Sequence, residues 1–441
     1  MTQAPAAPKA VRRRHDREIV ALAVPAFGAL VAEPLFVIAD SAIVGHLGTA
    51  QLAGLGVAST LLMTAVGVFV FLAYATTAAV ARRVGAGDLR AAIRQGMDGI
   101  WLALLIGAAV IAVVLPTAPT LMDWFGASSY ATTYLRISTL GIPAMLVVLA
   151  ATGVLRGLQD TKTPLYVAVG GFVANAALNA GLVYGAGLGI AGSAWGTVIA
   201  QCGMAAVYLV VVVRGARKHD ASLRPDAAGI RACAQAGTPL LVRTLSLRAI
   251  LVIATAVAAR LGDADMAAHQ VILSVWSLLA FALDAIAIAG QAIIGRYLGA
   301  DDAQGAREAC RRMVQWGLAT GVVLGLLVIV ARPLFLPMFS GDSVVRDAAL
   351  PALVMVALSQ PICGIVFVLD GVLMGAGDGP YLAWAMVLTL AVFAPVALLV
   401  PVLGGGLTAL WATMTLMMAI RLLTLGLRSR SGRWIVTGAT R

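Results

Sequence analysis

A single carboxylate, Asp40, interrupts the apolar stretch PLFVIADSAIVGHLGT at residues 34–49. An ionised side chain at the centre of a bilayer costs at least about 2.5–3.5 kcal/mol on insertion scales, so such a group is retained where it has a function or a partner. Glu33 lies seven residues earlier, which in a helix places both carboxylates on one face, about 10 Å apart along the axis. The chemistry open to such groups is the uptake and release of a proton.

Proton exchange at Asp40 would require a helix that can change shape. Burial disfavours the charged form of a carboxyl group, so Asp40 could take up a proton from an acidic exterior and release it to the cell. Pro25 and Pro34 each remove a backbone hydrogen bond and can bend the helix that carries Asp40. The alternative is a carboxyl group that stays hydrogen-bonded to a neighbouring helix.

Two amides are suitable partners for this carboxylate. Asn175 and Asn179 are four residues apart, so they share one face of a helix in the fifth apolar segment. Their side chains can donate hydrogen bonds to Asp40, and we expect the three residues to form the proton-coupling site. The alternative is that the two amides only hold neighbouring helices together, as polar groups among small residues often do.

Other polar residues at membrane depth are further candidates. Arg248 needs a counterion, which Asp284 could supply in a functional or a purely structural pair. Arg243 could extend its guanidinium group to the cytoplasmic surface, and the place of Asp370 at the inner end of its span favours a capping or gate contact. The candidates for a substrate cavity or a conformational change are Glu33, Arg248, Gln270, Asp284 and Gln291, and the cytoplasmic gate candidates are Asp160 and Asp370.

The composition indicates what must position these residues. The chain has 441 residues, of which 61% are hydrophobic and 12% charged, and its mean hydropathy is +0.95. Soluble proteins are about a quarter charged, and a helix of about 20 apolar residues crosses a bilayer core. We therefore predict an all-α integral membrane protein with twelve transmembrane helices. The predicted spans are 19–43, 53–80, 96–116, 131–153, 165–185, 190–213, 237–259, 267–294, 313–331, 348–371, 380–402 and 407–427.

The basic residues predict the orientation of these spans. Most of the 31 Lys and Arg residues fall in segments that lie on one side of the membrane if both termini are cytoplasmic. Such an excess in cytoplasmic segments is the positive-inside pattern. Topology thus accounts for the net charge of +11, and we expect no nucleic-acid partner.

Enzyme and metal signatures are absent from the sequence. The four cysteines have no metal-ligand spacing, the four histidines are scattered, and neither HExxH nor GxSxG occurs. We expect no enzyme activity, no metal and no cofactor.

The two halves of the chain resemble each other. Pro25 matches Pro239, ARRVGAGD at 81–88 matches GRYLGADD at 295–302, and GVLRGLQD at 153–160 matches GVLMGAGD at 371–378. The matches keep their order, and their separations differ by only a few residues. They predict two pseudo-symmetric six-helix lobes, a plan common in transporters that alternate access by rocking one half against the other around a cavity.

The predicted organisation is a cytoplasmic tail at 1–18, a lobe at 19–213, a cytoplasmic linker at 214–236, a lobe at 237–427 and a cytoplasmic tail at 428–441.

Several strings together resemble the multidrug and toxic compound extrusion (MATE) family, and in particular its bacterial DinF-like branch. The resemblance extends from about residue 18 to 427. The strings are IADSAIVGHLGTAQLAGLGVA (38–58), GVLRGLQDTKTPLY (153–166), GLGIAGSAWGTVIAQ (187–201), AAHQVILSVWSLLAFALDAIAIAGQAIIGRYLGADD (267–302) and VLDGVLMGAGD (368–378).

The resemblance implies a two-lobed antiporter that expels organic cations or amphipathic compounds in exchange for protons or sodium. Asp40 falls on the first-helix aspartate that is the protonation site in this branch, and Asn175 and Asn179 fall on polar positions of the fifth helix. Archaeal-type members carry an aspartate where this chain has Asn179. The missing second carboxylate weakens the case for a two-acid proton site and for sodium, which as a hard cation favours carboxylate oxygens. Proton coupling is therefore expected, in a monomer of the bacterial inner membrane.

Four alternatives remain open at this point. A sodium-coupled exporter and a lipid or cell-wall precursor flippase belong to the same superfamily, although such flippases usually have additional helices. A major facilitator would also have two six-helix halves, but ARRVGAGDLRAA matches its basic signature poorly. A channel would not require a two-lobed repeat.

Overall fold

The computed structural model describes residues 8–126, 129–339 and 342–440. Within these ranges, side chains are described from Arg13 onward, except those of Glu33, Val37, Phe335, Met338 and Phe339. The predicted role of the Glu33 side chain therefore lies outside the described residues. Within these ranges the chain is helical, with short turns between helices and no strands.

Fourteen α-helices follow one another in the described residues, and a π-helical turn at Gly181–Gly185 connects the seventh and eighth. Their bounds are α1 Pro8–Gly45, α2 Thr49–Val68, α3 Phe71–Gly85, α4 Leu89–Trp124, α5 Ser129–Thr139, α6 Ile142–Gly157, α7 Lys162–Ala180, α8 Gly189–Lys218, α9 Ala227–Leu261, α10 Asp263–Gly299, α11 Ala303–Phe339, α12 Ser343–Gly375, α13 Gly379–Val402 and α14 Leu407–Ser431.

The prediction of twelve spans is confirmed. Among the described residues, eleven helical segments are long and apolar enough to cross a membrane, and α5 and α6 together form a twelfth. These two helices meet at an angle of 48°. Pro143 lies in the first turn of α6, and because its ring nitrogen has no N–H, the hydrogen-bond ladder of the span is interrupted there.

The chain divides into two compact units. The N-unit is Gly28–Gly237, and the C-unit is Thr238–Ala439 together with the part of α1 up to Phe27. The division of α1 falls between Pro25 and Pro34. The predicted linker is largely helical, because α8 extends to Lys218 and α9 begins at Ala227.

The two units have equivalent internal packing, as the sequence repeat predicts. In the N-unit, α6 packs against α3, α4 and α8. In the C-unit, α12 packs against α10, α11 and α14. The central helix of each unit carries the repeated glycine string, GVLRG in α6 and GVLMG in α12.

The glycines of α6 allow α3 to approach closely. A Cβ atom added at Gly153 would fall within 3.0 Å of the backbone oxygen of Ala73, and one added at Gly157 within 3.0 Å of the Val80 side chain. Two glycines four residues apart form the small-residue face that lets membrane helices pack backbone to backbone.

The same contact recurs in the C-unit. A Cβ atom added at Gly371 would meet the backbone oxygen of Ala287, and one added at Gly375 would meet that of Gln291, both within 3.0 Å. In each half of the chain, the central helix packs against a neighbouring helix through the same pair of glycines. This shared contact explains why the glycine string is repeated in the sequence.

Substituting these glycines should destabilise the protein. A methyl group at Gly153 or Gly371 would meet rigid backbone, and such overpacking typically costs about 1–3 kcal/mol. We expect Gly153→Ala and Gly371→Ala to lower the melting temperature of the purified protein in detergent. Gly203→Ala on α8 is the matched control, because no described atom beyond the adjoining turns of its own helix lies within 4 Å of its added Cβ and alanine favours a helix. Equal melting temperatures for all three variants would contradict this account of the packing.

Candidate functional site

Asp40 lies in the N-unit with 6% of its surface exposed, and both of its oxygens accept hydrogen bonds. Asn179 Nδ2 donates to Oδ1 over 2.7 Å and Ser193 Oγ donates to the same atom over 2.5 Å. The hydroxyl of Tyr134 donates to Oδ2 over 3.0 Å. Helices α5, α7 and α8 thus each supply one donor to α1, an arrangement that satisfies an ionised carboxylate.

A second layer of amide contacts extends from this carboxylate. Asn179 Nδ2 also lies 3.3 Å from Asn175 Oδ1, and Asn175 Nδ2 donates to Thr197 Oγ1 over 3.1 Å. Both asparagines are fully buried. The Oδ1 atom of Asn179 is buried too, and no donor of the described residues reaches it.

Small residues of α8 allow α7 to come close enough for these contacts. A Cβ atom added at Gly196 would fall on Asn179, and one added at Gly192 would meet the backbone of Leu182. The string GSAWGT therefore brings Ser193 and Asn179 to the same carboxylate oxygen.

The π-helical turn Gly181–Gly185 directly follows the second asparagine. Single π-helical turns change the register of side chains and are frequent at functional sites. Here the turn directs Tyr184 toward α1, where its hydroxyl donates to the backbone oxygen of Ile43 over 2.6 Å.

An apolar cluster lies beside the carboxylate. It joins α1, α2, α4, α5 and α8 and includes Tyr134 itself. Hydrogen bonds in such a low-dielectric environment are strong, and an unpaired polar group there is costly. The buried members of the cluster are Val44, Leu55, Ala58, Ala118, Met122, Ala131, Tyr134, Leu135, Ile190 and Ala194.

The structure thus brings together all three residues of the predicted coupling site. Asp40 and Asn179 are in direct contact, and Asn175 is joined to them through Asn179. Sequence reasoning missed Tyr134 and Ser193. The sequence does contain a pattern that points to Ser193. Ser193 and Thr197 on α8 are four residues apart, as Asn175 and Asn179 are on α7.

The remaining cavity candidates do not form one cluster. Arg248 is exposed on α9 and pairs with no carboxylate of the described residues, so the Arg248–Asp284 pair considered from the sequence is not formed. Asp284 is half-buried and Gln270 is exposed, both on α10. Gln291 is 1% exposed, and within the described part of the chain neither polar atom of its amide has a hydrogen-bond partner.

A buried ion cluster occupies the C-unit. Asp370 on α12 accepts from Arg421 Nη2 on α14 over 2.7 Å and forms a two-pronged ion pair with Arg243 on α9. All three residues are at most 8% exposed. The expectation that Arg243 reaches the cytoplasmic surface is therefore wrong, because Asp370 holds its guanidinium group inside the bundle.

The other predicted gate residue, Asp160, has local partners. Its carboxylate accepts from the backbone N–H groups of Lys162 and Thr163, both over 3.0 Å, and from the Thr163 hydroxyl over 2.5 Å. These bonds satisfy free donors at the start of α7. Asp378, its repeat counterpart, instead pairs with Arg428 Nε over 2.7 Å.

Metal-site geometry is not found in the residues that the structure describes. No group of three or more His, Cys, Asp or Glu side chains in those ranges could hold a metal ion. At the Asp40 site, the described side-chain oxygens belong to the Asp40 carboxylate itself and to neutral hydroxyl and amide groups.

Comparison with known proteins places the chain in a family. The MatE family model matches residues 25–180 and 239–400. The chain is 33% identical over 440 residues to Protein DETOXIFICATION 44, chloroplastic, of Arabidopsis thaliana, covering 95% of this chain and 83% of that protein. It is 27% identical over 433 residues to DNA damage-inducible protein F of Escherichia coli K12, covering 95% and 94%.

Solved structures have the same fold. The Vibrio cholerae MATE transporter VcmN in its bent form superposes with a TM-score of 0.86 at 22% identity, covering 96% of this chain and 99% of that one. A MOP superfamily transporter from Pyrococcus furiosus gives 0.85 at 19% identity, with 98% of each chain covered. With a family match in both halves, twelve spans and two equivalent bundles, the chain belongs to the MATE family: it is a multi-pass membrane efflux transporter and not an enzyme.

Proposed function

We propose that this transporter exports organic cations or amphipathic compounds in exchange for protons, with Asp40 as the coupling group. The observation that carries the proposal is that the partners of Asp40 are three neutral donors on three helices. Among the described residues Asp40 forms no ion pair. A carboxylate locked to an arginine would keep its charge, whereas one held by neutral donors can take up a proton without leaving a partner charge unpaired.

Both protonation states of Asp40 can be satisfied where it lies. The ionised form accepts three hydrogen bonds, whereas the protonated form has one O–H to donate and needs an acceptor. The hydroxyls of Tyr134 and Ser193 can rotate to accept, and rotation of the Asn179 amide would offer the Oδ1 atom that now has no donor. Protonation would therefore change the number and direction of the hydrogen bonds that join α1 to α5, α7 and α8.

Pro34 links this change to the shape of α1. It lies six residues before Asp40 and cannot donate to the backbone oxygen of Leu30. A helix with a missing hydrogen bond bends at lower cost. We infer that α1 bends when its hydrogen bonds to α5, α7 and α8 change, and that this bending is one step of alternating access.

The composition of the site favours protons over sodium. Among the described side chains Asp40 is the one carboxylate of the site, and Asn179 supplies a neutral amide where a second acid would strengthen cation binding. Hard cations bind oxygen ligands, and the charge of carboxylate ligands strengthens that binding. Proton exchange, by contrast, requires a single titratable group.

We propose the membrane location and the oligomeric state of the protein from its sequence. The excess of basic residues in alternate connecting segments supports cytoplasmic termini in a bacterial inner membrane. We propose that the monomer is the working unit, since one chain supplies both of the repeated halves that such transporters move against each other.

A flux experiment with two gradients tests this proposal. The protein is reconstituted in liposomes, and movement of a fluorescent organic cation is followed under an imposed pH gradient or an imposed sodium gradient. We expect the pH gradient to drive transport and a proton carrier to abolish it. Transport that requires sodium and persists when the pH gradient collapses would overturn proton coupling.

Ser193→Ala should slow transport without abolishing it. The serine makes the shortest hydrogen bond to Asp40, and a hydrogen bond to a charged group contributes about 1.5–3 kcal/mol. Its loss makes the ionised form less favourable, so release of the proton should become slower and the initial rate of efflux should fall about tenfold or more.

Ser274→Ala is the matched control for this prediction. Ser274 is a serine of α10 whose hydroxyl bonds, among the described residues, to one backbone oxygen of its own helix. Wild-type rates for both serine variants would show that Ser193 does not support the coupling group.

A further inference from the structure

The first turns of α1 are fixed on the C-unit by their acidic residues. Asp16 accepts from Arg312 Nε over 2.6 Å, from Arg312 Nη2 over 2.9 Å and from Trp316 Nε1 over 2.8 Å. Glu18 pairs with Arg296 of α10. These contacts determine which face of α1 remains open.

The open face borders a basic pocket. A cavity of about 550 Å³ is lined by Arg13, Arg14, Arg17, Glu18, Ala21 and Arg296. Four guanidinium groups therefore face a single carboxylate, which is already paired with Arg296. The three arginines of α1 are exposed and form no ion pair with a described carboxylate. The pocket has an excess of positive charge and a large supply of N–H donors.

An apolar strip continues from the pocket along the same helix. Val20, Val24 and Phe27 are 41%, 62% and 39% exposed. Residues spaced by three and four share a face of a helix, so this strip extends the face of Arg13 and Arg17 into the apolar part of the span. A ligand that fits both parts has an anionic head and an apolar tail.

We propose that the basic pocket binds the phosphate headgroup of an anionic phospholipid whose acyl chain lies along Val20 and Val24. Guanidinium groups bind phosphate oxygens with paired hydrogen bonds. Basic pockets between helices on the cytoplasmic side of a membrane bind such headgroups. The position of the arginines, just before the apolar run that begins at Ile19, places them at headgroup depth.

A phospholipid fits the pocket better than free phosphate does. Inorganic phosphate would use the arginines alone and gain nothing from the exposed valines. A lipid uses both, and its headgroup is present at high local concentration wherever the protein is inserted.

Lipid binding to the purified full-length protein tests the proposal. The shift of the melting temperature in detergent is titrated with short-chain phosphatidylglycerol, with phosphatidylcholine and with inorganic phosphate. The pocket variant is Arg13→Gln/Arg14→Gln/Arg17→Gln. The control variant, Arg214→Gln/Arg217→Gln/Arg224→Gln, removes the same charge from exposed positions elsewhere.

We expect phosphatidylglycerol to stabilise the wild type and the control variant at similar concentrations. The pocket variant should need at least about tenfold more lipid, because each basic residue near an anionic headgroup contributes to its binding. Phosphatidylcholine and inorganic phosphate should produce smaller shifts.

Two results would overturn the proposal. One is a titration of the pocket variant that matches the wild type. The other is a wild-type response to inorganic phosphate as large as that to phosphatidylglycerol, which would assign the pocket to a free anion. Since the readout is binding, neither result depends on whether Asp40 couples transport to protons.

Discussion

Asp40→Asn should reduce gradient-driven efflux to the level of protein-free vesicles while leaving the protein folded. Asparagine has the size of aspartate and keeps an oxygen that can accept from Ser193 or Asn179, but it cannot take up or release a proton. The measurement is the initial rate of dye efflux from proteoliposomes under a pH gradient. The melting temperature is measured in parallel to show that the variant folds.

The control for this variant is Asp347→Asn. Asp347 is exposed near the start of α12, so its substitution removes one carboxylate without disturbing a buried contact. We expect Asp347→Asn to transport at the wild-type rate. If Asp40→Asn also shows gradient-driven efflux at the wild-type rate, Asp40 is not the coupling group.

Asp370→Asn should have the largest effect on stability. The substitution removes the charged carboxylate that the buried guanidinium groups of Arg243 and Arg421 share, and it leaves their two like charges side by side. Removing one partner of a buried ion pair costs about 3–5 kcal/mol. We expect a large fall in the melting temperature, or a protein that cannot be purified in folded form.

The arginine variants provide an internal comparison for the cluster. Arg243→Gln and Arg421→Gln each leave one cation facing one anion, so the remaining pair is neutral. Both should be less destabilising than Asp370→Asn, although all three remove a charge from the same cluster. The ion cluster does not stabilise the C-unit as proposed if either arginine variant has a lower melting temperature than Asp370→Asn. The same conclusion follows if all three variants have the melting temperature of the wild type.

The acids of the two key clusters could be found from the sequence because a charge in an apolar run is conspicuous. Asp40 and Asp370 both stand out in this way. The hydroxyl partners could not be found as easily, since serine and threonine occur throughout the spans and often bond to a backbone oxygen of their own helix, as Thr77 and Thr139 do here. Polarity alone therefore did not distinguish Ser193 and Tyr134 from such residues.

Which arginine contacts a carboxylate depends on how each helix is rotated about its axis. Arg243 and Arg248 are five residues apart, which corresponds to about 140° around a helix. When Arg243 faces Asp370 on α12, Arg248 points in a different direction and remains exposed. Hydropathy locates a span along the chain but does not give this rotation, so the sequence does not show that Arg243 is the one of the two that faces a carboxylate on another helix.

The repeat predicted more of the fold than any single motif. The glycine pairs of GVLRG and GVLMG occupy equivalent contacts in α6 and α12 because both halves close their bundles in the same way. The bend of the fourth span was not anticipated, although Gly141 and Pro143 mark it in the sequence.

The central claim is that the Asp40 carboxyl gains and loses a proton during transport. Proton release on substrate binding tests it most directly. An organic cation is added to the detergent-solubilised protein in a weakly buffered solution, and a pH-sensitive dye reports the protons released. The account predicts release by the wild type and by Asp347→Asn, and none by a folded Asp40→Asn variant that still binds the cation. Equal release from Asp40→Asn and the wild type would contradict it.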